Sequence, residues 1–557
     1  MSLSAEIMSG GDAIVGALIA HGVDTVFGLP GAQLYPLFDA LARNSDRVTT
    51  VGTRHEQACG MMAFGYARAT GRPGVFAVVP GPGVLNTAAA LCTAAGANAP
   101  VLCITGQVPS AFIGRGRGHL HELPDQLATL RTLVKWAARI ERPADAPAVL
   151  QQAFHHMLTG RPGPVAIEMA WDVMAAQEAV RPALAVPLAP APPPKASAIT
   201  AAAAAIAQAL RPMIMVGSGA QHAGAEILAL AEALNAPVAA FRGGRGVVAE
   251  DHALGVSSYA ARLLWPETDV LIGIGTRLEL PYMRWTGMMD RIDAPAGPPT
   301  LIRIDIDPAE MHRLRPDVAI VADAVDGAAA LLAALAVAPA SRPAGDRAVI
   351  KAAKQQAHAG IQSVQPHVAY LAAIRDALPR NGLLVEELCQ AGFASYFAYP
   401  VLAPRTYISP GYQGTLGVGF MAALGVKVAY PDRPVVSITG DGGFLFGVAE
   451  LATAVQYAIG VVIVLFNNGA YGNVLRDQQV RYGGRLIGAV LHNPDFAQLA
   501  AAFGVAYARV NSPDGLRDAL ATALAAGGPA LIEVPVDRAT EVSPWPFIHP
   551  VPSVIVR

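Results

Sequence analysis

Two oxygen-bearing side chains, Asp441 and Asn468, lie just beyond apolar runs of the chain. Asp441 comes after the run Val435–Thr439, and Asn468 comes after the run Val461–Phe466. Because a parallel crossover returns the chain to the same edge of a sheet, we expect both side chains at the carboxyl ends of neighbouring strands. Their oxygens, with the backbone carbonyl of Ala470, form an open set of hard ligands suited to Mg²⁺.

Glycines surround this aspartate. Gly440, Gly442 and Gly443 allow backbone N–H groups and the N-terminus of the following helix to approach a diphosphate closely. The pattern therefore predicts a diphosphate site bridged by Mg²⁺. A tight glycine-rich turn beside an unrelated asparagine pair is the alternative. The position of that pair, 467–468, after the next strand favours the metal site.

The spacing of these motifs resembles that of the thiamine-diphosphate-dependent enzymes. Gly–Asp–Gly stands at 440–442, and Asn–Asn follows at 467–468. Segments along the whole chain resemble the acetolactate synthase branch of that superfamily, which also includes pyruvate oxidase, benzoylformate decarboxylase and oxalyl-CoA decarboxylase. These segments are residues 53–75, 81–86, 106–114, 269–278, 302–311 and 411–425.

The resemblance implies a catalytic role for Glu56, which follows the run Val48–Gly52. The family's glutamate hydrogen-bonds N1′ of the aminopyrimidine ring and promotes the tautomer that removes the thiazolium C2 proton. The cofactor later holds the electron pair left by CO₂ as an enamine. Such a carboxyl should be buried, with its pKa raised by desolvation. Taken alone, a glutamate at a helix start is usually a solvated residue that complements the helix dipole.

The resemblance also implies the other cofactor contacts. The backbone carbonyl of Gly414 accepts a hydrogen bond from the 4′-amino group, and Leu416 is the apolar wedge that bends the two rings into a V. An ordinary core position is the alternative for Leu416. The cofactor-binding residues implied in addition to these two are Glu56, Pro82, Asn86, Cys389, Gln390, Gly440, Asp441, Gly442, Gly443, Asn468, Tyr471 and Gly472.

A departure from the synthases concerns the substrate. Where they carry Phe–Gln–Glu, this chain carries Leu–His–Glu at 120–122, in a loop that also holds Arg115, Arg117 and His119. We expect His121 to act in the active site, where this loop could hold an acidic or hydroxylated substrate. A solvated basic loop fits the same pattern.

Two further departures concern the second substrate and flavin. Asn473 and Asp477 stand where the synthases have Met and Trp, so the usual selection of a second 2-oxo acid is not predicted.

Flavin-binding members have Met–His–Gly where this chain reads Val–Ser–Ser at 256–258, which disfavours FAD. A lone dinucleotide-like turn at 217–224 is compatible with FAD, with ADP or coenzyme A, or with an empty domain.

Composition and prolines divide the chain into three blocks. Residues 178–197 carry a proline cluster and should form an extended linker, as should residues 336–348 less strongly. Each block alternates Val/Ile-rich runs with Ala/Leu-rich helical patterns, which predicts an α/β fold of three doubly wound parallel-sheet domains. By resemblance these are a pyrimidine-binding domain at 1–178, a central Rossmann-like domain at 195–335 and a diphosphate-binding domain at 350–557.

The predicted elements place the motifs at strand ends. A helix is predicted from about Val448 to Tyr457, after the glycine turn. The runs predicted as strands are Thr25–Gly28, Val75–Val79, Val101–Thr105, Met213–Val216, Val270–Ile274, Leu301–Ile306, Gly382–Glu386, Val435–Thr439, Val461–Phe466 and Ala530–Val534. Ligands of such sheets bind at the carboxyl ends of the strands.

The composition disfavours two classes of partner. The 557 residues are 53% hydrophobic and 15% charged, with a formal net charge of −2. These values predict large buried cores and argue against nucleic acid or an anionic membrane as a partner. Four cysteines without CxxC spacing indicate reduced core residues of a cytoplasmic protein. Neither a signal peptide nor an apolar run long enough for a membrane span is indicated.

We therefore expect a thiamine-diphosphate- and Mg²⁺-dependent decarboxylase or carboligase acting on small 2-oxo acids or aldehydes. The family's site lies between subunits, so the resemblance implies a homodimer or homotetramer. A flavin-linked enzyme of the pyruvate oxidase type is one alternative, and a nicotinamide dehydrogenase would need a fuller dinucleotide motif. A non-catalytic paralogue that binds a nucleotide or a partner is disfavoured, because Glu56, Asp441 and Asn468 are all present.

Overall fold

The computed structural model describes residues 4–185, 188, 190–285, 299–337 and 346–550. These residues form three six-stranded sheets and one two-stranded sheet. All strand pairs of the six-stranded sheets are parallel. The predicted α/β fold of three parallel-sheet domains is confirmed.

The N-terminal part begins and ends on the small antiparallel sheet and contains the first large sheet. Its strands are β1 (Glu6–Ser9), β2 (Thr25–Gly28), β3 (Thr49–Gly52), β4 (Gly74–Val78), β5 (Val101–Gln107), β6 (Trp136–Ile140), β7 (Val165–Ala170) and β8 (Gln177–Val180). Its helices are α1 (Gly10–Ala20), α2 (Tyr35–Arg43), α3 (Glu56–Thr70), α4 (Pro82–Asn86), α5 (Ala88–Gly96), α6 (Gln126–Leu133), α7 (Ala146–Leu158) and α8 (Trp171–Ala175).

The central part carries the second large sheet. Its strands are β9 (Pro212–Val216), β10 (Val238–Ala240), β11 (Gly255–Val256), β12 (Val270–Ile274), β13 (Thr300–Asp305) and β14 (Val318–Val321). Its helices are α9 (Ala196–Ala207), α10 (Gly224–Leu234), α11 (Ser258–Leu264), α12 (Glu310–Arg313) and α13 (Ala324–Val337), and α14 (Arg347–Ile361) leads onward.

The C-terminal part carries the third large sheet. Its strands are β15 (Leu383–Val385), β16 (Tyr407–Ile408), β17 (Val435–Gly440), β18 (Val462–Asn467), β19 (Ala506–Arg509) and β20 (Ala530–Pro535). Its helices are α15 (His367–Ala377), α16 (Gln390–Ala398), α17 (Val418–Ala429), α18 (Asp441–Phe444), α19 (Leu451–Gln456), α20 (Gly472–Arg481), α21 (Phe496–Phe503), α22 (Pro513–Ala526) and α23 (Trp545–Ile548).

The strand order of each large sheet changes direction at an interior point. The orders are β3-β2-β4-β5-β7-β6, β11-β10-β9-β12-β13-β14 and β16-β15-β17-β18-β20-β19, and in the first and third sheets the last two strands are exchanged as well. The reversal common to all three sheets lies between β2 and β4, between β9 and β12, and between β15 and β17. In doubly wound sheets a crevice opens beyond the carboxyl ends of the strands at such a point and receives the ligand.

Two local predictions were wrong. Residues 178–180, expected at the start of the linker, belong to β8, which pairs with β1; the prolines that prevent pairing begin only at Pro182. The helix expected from about Val448 to Tyr457 begins as a 3₁₀ stretch, Leu445–Glu450, and becomes α-helical only at Leu451 in α19, while the separate short helix α18 precedes both at Asp441. The second expected linker falls largely on residues 338–345, which lie outside the described residues.

Helices α3 and α17 join the N-terminal and C-terminal parts. A Cβ on Gly65 would lie 2.1 Å from the backbone oxygen of Ala422, and one on Gly425 would lie 1.9 Å from that of Met62. The two backbones can approach this closely only because glycine occupies both crossing points. The helix that begins with Glu56 is therefore fixed against the helix that follows Leu416.

Among the described residues, no helix combines the length and the apolar character that crossing a bilayer requires.

Candidate active site

A cavity of about 330 Å³ lies at the reversal point between β15 and β17. It is lined by residues that follow β15, β17 and β18, with Leu416 from the loop before α17. The site residues predicted from the sequence that line it are Cys389, Gln390, Leu416, Gly440, Asp441, Gly442, Gly443, Asn468, Ala470, Tyr471 and Gly472. Gly414 is not among the lining residues, and a Cβ there would lie 3.2 Å from Leu388 Cδ1.

Asp441 is held at the wall of this cavity with 1% of its surface exposed. Its Oδ2 accepts a hydrogen bond of 2.6 Å from Asn493 Nδ2, which also donates to Asn467 Oδ1 at 3.0 Å. Burial raises the pKa of Asp441 above its ordinary value. A buried carboxylate is costly unless an opposite charge or hydrogen bonds compensate it. A divalent cation would offset that cost.

Asn468 belongs to a network that the sequence did not predict. Its Nδ2 donates to Glu541 Oε2 at 3.0 Å, and Glu541 Oε1 accepts from His367 Nε2 at 2.8 Å. The amide oxygen of Asn468 accepts from the N–H of Ala470 at 3.2 Å. His367 begins α15 and Glu541 follows β20, and both line the cavity. Neither residue belongs to a local sequence motif, so their place in the site becomes apparent only from the tertiary structure.

The glycines of the cavity leave room that any other residue would fill. A Cβ on Gly440 would lie 2.8 Å from Cys389 Cβ, and one on Gly442 would lie 2.4 Å from Tyr471 Cε1. The backbone here can therefore come within hydrogen-bonding distance of a bound phosphate group. This cradle fits the diphosphate expected from the sequence.

Three buried polar atoms on cavity residues have no hydrogen-bond partner among the described residues: Gln390 Oε1, His367 Nδ1 and Asn473 Oδ1. Buried polar atoms are normally paired. A polar ligand in the cavity, directly or through water, would satisfy them. Together with the glycine cradle and the Asp441, Asn468 and Ala470 oxygens, they make the cavity suited to a magnesium diphosphate.

Glu56 lies at the carboxyl edge of the N-terminal sheet, as the first residue of α3. It is half-buried, and its Oε2 accepts a hydrogen bond of 2.9 Å from Asn86 Nδ2. Pro82 and Asn86 are the first and last residues of α4. The full burial expected for Glu56 is not met within one chain, where part of this edge faces solvent.

The loop before Glu56 is attached to the C-terminal part of the same chain. The N–H groups of Arg54 and His55 donate to the carboxylate of Glu450 at 3.0–3.1 Å. The N–H of Gly52 donates to Tyr457 Oη at 2.9 Å. These contacts fix the position from which the Glu56 side chain projects.

His121 lies beside the same edge of the N-terminal sheet. It has a φ of 65°, and its Nδ1 is 2.8 Å from Gln33 Oε1. Its backbone oxygen lies 2.5 Å from where a Cβ on Gly81 would stand. The loop is therefore anchored next to α4. Among the described residues, neither His121 nor Glu56 lines the Asp441 cavity, so one chain presents two separate groups of predicted site residues.

The central sheet has its own cavity at the reversal between β9 and β12, of about 110 Å³. Gly217, Ser218 and Gly275 line it at the strand ends. Four arginines also line it, namely Arg68, Arg161, Arg242 and Arg277. Residues 256–258 are not among the lining residues; they lie at the end of β11 and the start of α11.

Comparison with protein families gives three matches along the chain. Residues 8–129 match the thiamine pyrophosphate enzyme N-terminal TPP binding domain, residues 199–332 match the central domain, and residues 389–534 match the C-terminal TPP binding domain. The last match contains every predicted residue of the Asp441 cavity, and the first contains Glu56 and His121.

Curated relatives match almost the whole chain. The "Probable 2-ketoarginine decarboxylase" of Pseudomonas aeruginosa is 36% identical over 539 residues, which cover 95% of this chain and 94% of the relative. The "Probable acetolactate synthase large subunit" of Methanocaldococcus jannaschii is 36% identical over 557 residues, covering 96% and 92%. The acetolactate synthase isozyme 2 large subunit of Escherichia coli is 33% identical over 560 residues, covering 98% of each.

Proposed function

Because the chain belongs to the thiamine pyrophosphate enzyme family, in its acetolactate synthase-like branch, we propose that it is a Mg²⁺-dependent 2-oxo acid decarboxylase or carboligase. The broader class, a thiamine-diphosphate-dependent lyase or transferase, follows from the family matches and the relatives. The observation that carries the finer proposal is the convergence of Asp441, Asn468 and Ala470 on one glycine-lined cavity.

We assign roles to the residues as follows. Asp441 Oδ, Asn468 Oδ1 and the carbonyl of Ala470 hold Mg²⁺, whose hard oxygen ligands they match. Backbone N–H groups at Gly440, Gly442 and Gly443 bind the diphosphate. The remaining residues proposed to contact the cofactor in the cavity are Cys389, Gln390, Leu416, Tyr471 and Gly472.

The proposed contacts to the cofactor's ring use both parts of the chain. Glu56 would hold a proton at its carboxyl and donate it in a hydrogen bond to the ring, with Asn86 and Pro82 as further proposed contacts. The carbonyl of Gly414 would accept a hydrogen bond from the ring amine, and Leu416 would pack against the cofactor. The bound cofactor supplies a carbon nucleophile and an electron sink for loss of CO₂. The partly apolar lining of the cavity would help to keep water away from that step.

The proposed substrates are small 2-oxo acids, with an aldehyde or second 2-oxo acid as a candidate acceptor. Of the three relatives described above, two are named as acetolactate synthase large subunits and one as a 2-ketoarginine decarboxylase. These names support a 2-oxo acid donor and leave the acceptor open. His121 in the anchored loop and Asn473 in the cavity are the proposed determinants of substrate choice.

A panel of 2-oxo acids, each with and without an aldehyde acceptor, tests this function directly. We expect CO₂ release from at least one 2-oxo acid that depends on both thiamine diphosphate and Mg²⁺, with the product identified by mass spectrometry. Release that continues after exhaustive removal of Mg²⁺ would contradict the metal assignment. The absence of turnover with every donor, in protein that binds the cofactor, would contradict the reaction class.

We do not propose a flavin-linked oxidase. Residues 256–258 read Val–Ser–Ser where the flavin-binding members have Met–His–Gly, and they do not line the central cavity. An absorption spectrum of the purified protein without flavin bands is the expected result.

We propose that two copies of the chain complete the active site, as a homodimer or a dimer of dimers. Leu85 and Leu120 are exposed next to Asn86 and His121 in the chain, while Val474 is exposed at the lining of the Asp441 cavity. Exposed apolar residues that border two half-sites are expected where protein surfaces associate. A cytoplasmic location is also proposed, because all four cysteines are unpaired.

A further inference from the structure

Glu387 is a fully buried carboxylate that none of the roles above uses. It lies two residues beyond β15, at the reversal point that forms the Asp441 cavity, and 0% of its surface is exposed. The neighbouring Glu386, equally buried, contacts a different part of the molecule, where Tyr396 Oη donates to it at 3.2 Å. The two adjacent glutamates therefore have different surroundings.

The carboxylate of Glu387 accepts hydrogen bonds from the backbone of the loop that leads into α17. Its Oε1 accepts from the N–H of Gly417 at 3.1 Å, and its Oε2 accepts from the N–H of Gly419 at 2.8 Å. The N–H of Leu388 adds a third bond, at 3.2 Å. Gly417 is the N-cap residue of α17 and, as glycine, has no side chain to cap the helix.

Glu387, which follows β15, therefore acts as the capping side chain for the N-terminus of α17. The first N–H groups of a helix have no partner within the helix, and a negative charge there is favourable. Burial raises the pKa of Glu387 to about 8, although the N–H groups of Gly417, Leu388 and Gly419 favour the charged form and act in the opposite direction.

The same side chain fills the space beside the diphosphate loop. A Cβ on Gly443 would lie 3.0 Å from both Cγ and Cδ of Glu387, and one on Gly419 would lie 2.9 Å from its Cβ. A Cβ at either position would press against the Glu387 side chain, so glycine at both positions gives that side chain room. One buried residue contacts the loop that carries Gly414 and Leu416 and the loop that carries Asp441.

We propose that Glu387 is a positioning residue that holds the Gly414–Gly417 loop in the shape required to bind the pyrimidine end of the cofactor. This inference rests on the proposed function, because it takes Gly414 and Leu416 as cofactor contacts. Glu387 acts through the backbone of that loop and is assigned no contact with the cofactor.

The test compares Glu387→Gln with Glu386→Gln. Glutamine preserves the size of Glu387 but replaces one of its two acceptor oxygens by a donor, so one loop N–H loses its partner. The affinity of each purified protein is measured for thiamine diphosphate with Mg²⁺, and separately for magnesium pyrophosphate, which engages only the diphosphate end. Unfolding midpoints without ligand are recorded for each protein.

We expect Glu387→Gln to weaken thiamine diphosphate binding about tenfold or more, in the range found for residues that orient ligand-binding groups. Its affinity for magnesium pyrophosphate should stay within about twofold of the unaltered chain. Glu386→Gln should bind both ligands as the unaltered chain does. A purely structural role would lower the unfolding midpoint and leave both affinities unchanged, or weaken both equally; either result overturns the inference.

Two further outcomes are informative. If the unaltered chain does not bind thiamine diphosphate, the proposed function fails, and this inference fails with it. If Glu387→Gln does not fold, amide hydrogen exchange in the unaltered apo chain decides. Slow exchange at Gly417 and Gly419 supports the carboxylate cap, and exchange as fast as in an unstructured peptide overturns it.

Discussion

At the scale of single residues, Glu56 is the proposed proton-holding group and has the amide of Asn86 as its hydrogen-bond partner. Glutamine at this position keeps the size of the side chain and cannot carry the acid proton. We expect Glu56→Gln to bind thiamine diphosphate normally and to slow exchange of its C2 proton about a hundredfold or more. The exchange is measured by quenched-flow deuterium labelling and NMR.

Glu141→Gln is a suitable control for this comparison. Glu141 is in the same part of the chain and its side chain is 68% exposed, so its replacement should leave the exchange rate unchanged. An exchange rate in Glu56→Gln equal to that of the unaltered chain would remove Glu56 from the mechanism.

Asp441 is the charged member of the proposed magnesium site and is buried against Asn493. Asp441→Ala removes the only full negative charge among the three proposed ligands. We expect it to lose calorimetrically detectable binding of both Mg²⁺ and the diphosphate, since each holds the other in place. Asp477→Ala, which breaks an ion pair with Arg476, is the control and should bind both. Unaltered binding in Asp441→Ala would refute the metal assignment.

One part of this site could be predicted from the sequence, and another part could not. Residues 440–443 and 467–468 could be predicted because their chemistry and spacing are local to two consecutive strands. His367, Glu387 and Glu541 could not, because each stands in an ordinary sequence context. Packing alone brings Glu541 from beyond the last strand to Asn468, and Glu387 to the start of α17.

At the scale of elements, the segment 541–549 begins at the Asp441 cavity, which Glu541 lines, and packs against Phe393 of the cavity wall. Ser543 Oγ accepts from Arg476 at 2.9 Å, and the ring of Trp545 lies 5.3 Å from that of Phe393. At its end, His549 Nε2 lies 2.6 Å from Arg284 Nη1, which can donate to it only while the imidazole is neutral. The docking of this segment should therefore depend on pH.

Burial and the nearby guanidinium of Arg284 lower the pKa of His549 to about 4, from an ordinary 6.5. The unfolded chain thus binds this proton more readily than the folded chain. The contribution of neutral His549 to stability is complete above about pH 6.5 and is lost as the pH falls towards 4. We expect the unfolding midpoint to fall over this window, and to fall less in His549→Gln, whose amide oxygen accepts from Arg284 at every pH.

Thermal unfolding followed by circular dichroism between pH 4.5 and 7.5 checks this prediction. His155→Gln is the control, because His155 is exposed and far from this contact in the sequence; it should keep the slope of the unaltered chain. Parallel curves for the unaltered chain and His549→Gln would show that His549 does not couple pH to stability.

The elements themselves were predicted unevenly. Every apolar run identified as a strand corresponds to one, because buried parallel strands are continuous runs of Val, Ile and Leu. Short edge strands such as β11 and β16 have two residues each, too few to give a pattern. The start of α18 at Asp441 was missed, because glycines usually indicate turns; here Gly442 is selected by its contact with Tyr471.

At the scale of the whole molecule, the single chain holds its two groups of proposed site residues apart. Glu56 is fixed through Arg54 and His55 to Glu450, and α3 is packed against α17 through Gly65 and its neighbours. Bringing Glu56 into the Asp441 cavity of its own chain would require breaking these contacts. A second copy can supply Glu56 without any such rearrangement, which favours a site completed between subunits.

Mixed subunits test this arrangement. A dimer of one Glu56→Gln chain and one Asp441→Ala chain has one site with both replacements and one with neither. Random pairing of equal amounts should therefore restore about a quarter of the unaltered activity, although each variant alone is inactive. The chains are mixed in denaturant and refolded, or produced together with different affinity tags so that the mixed dimer can be isolated. If each chain instead formed its own complete site, every site in the mixture would carry one replacement, and no activity would return.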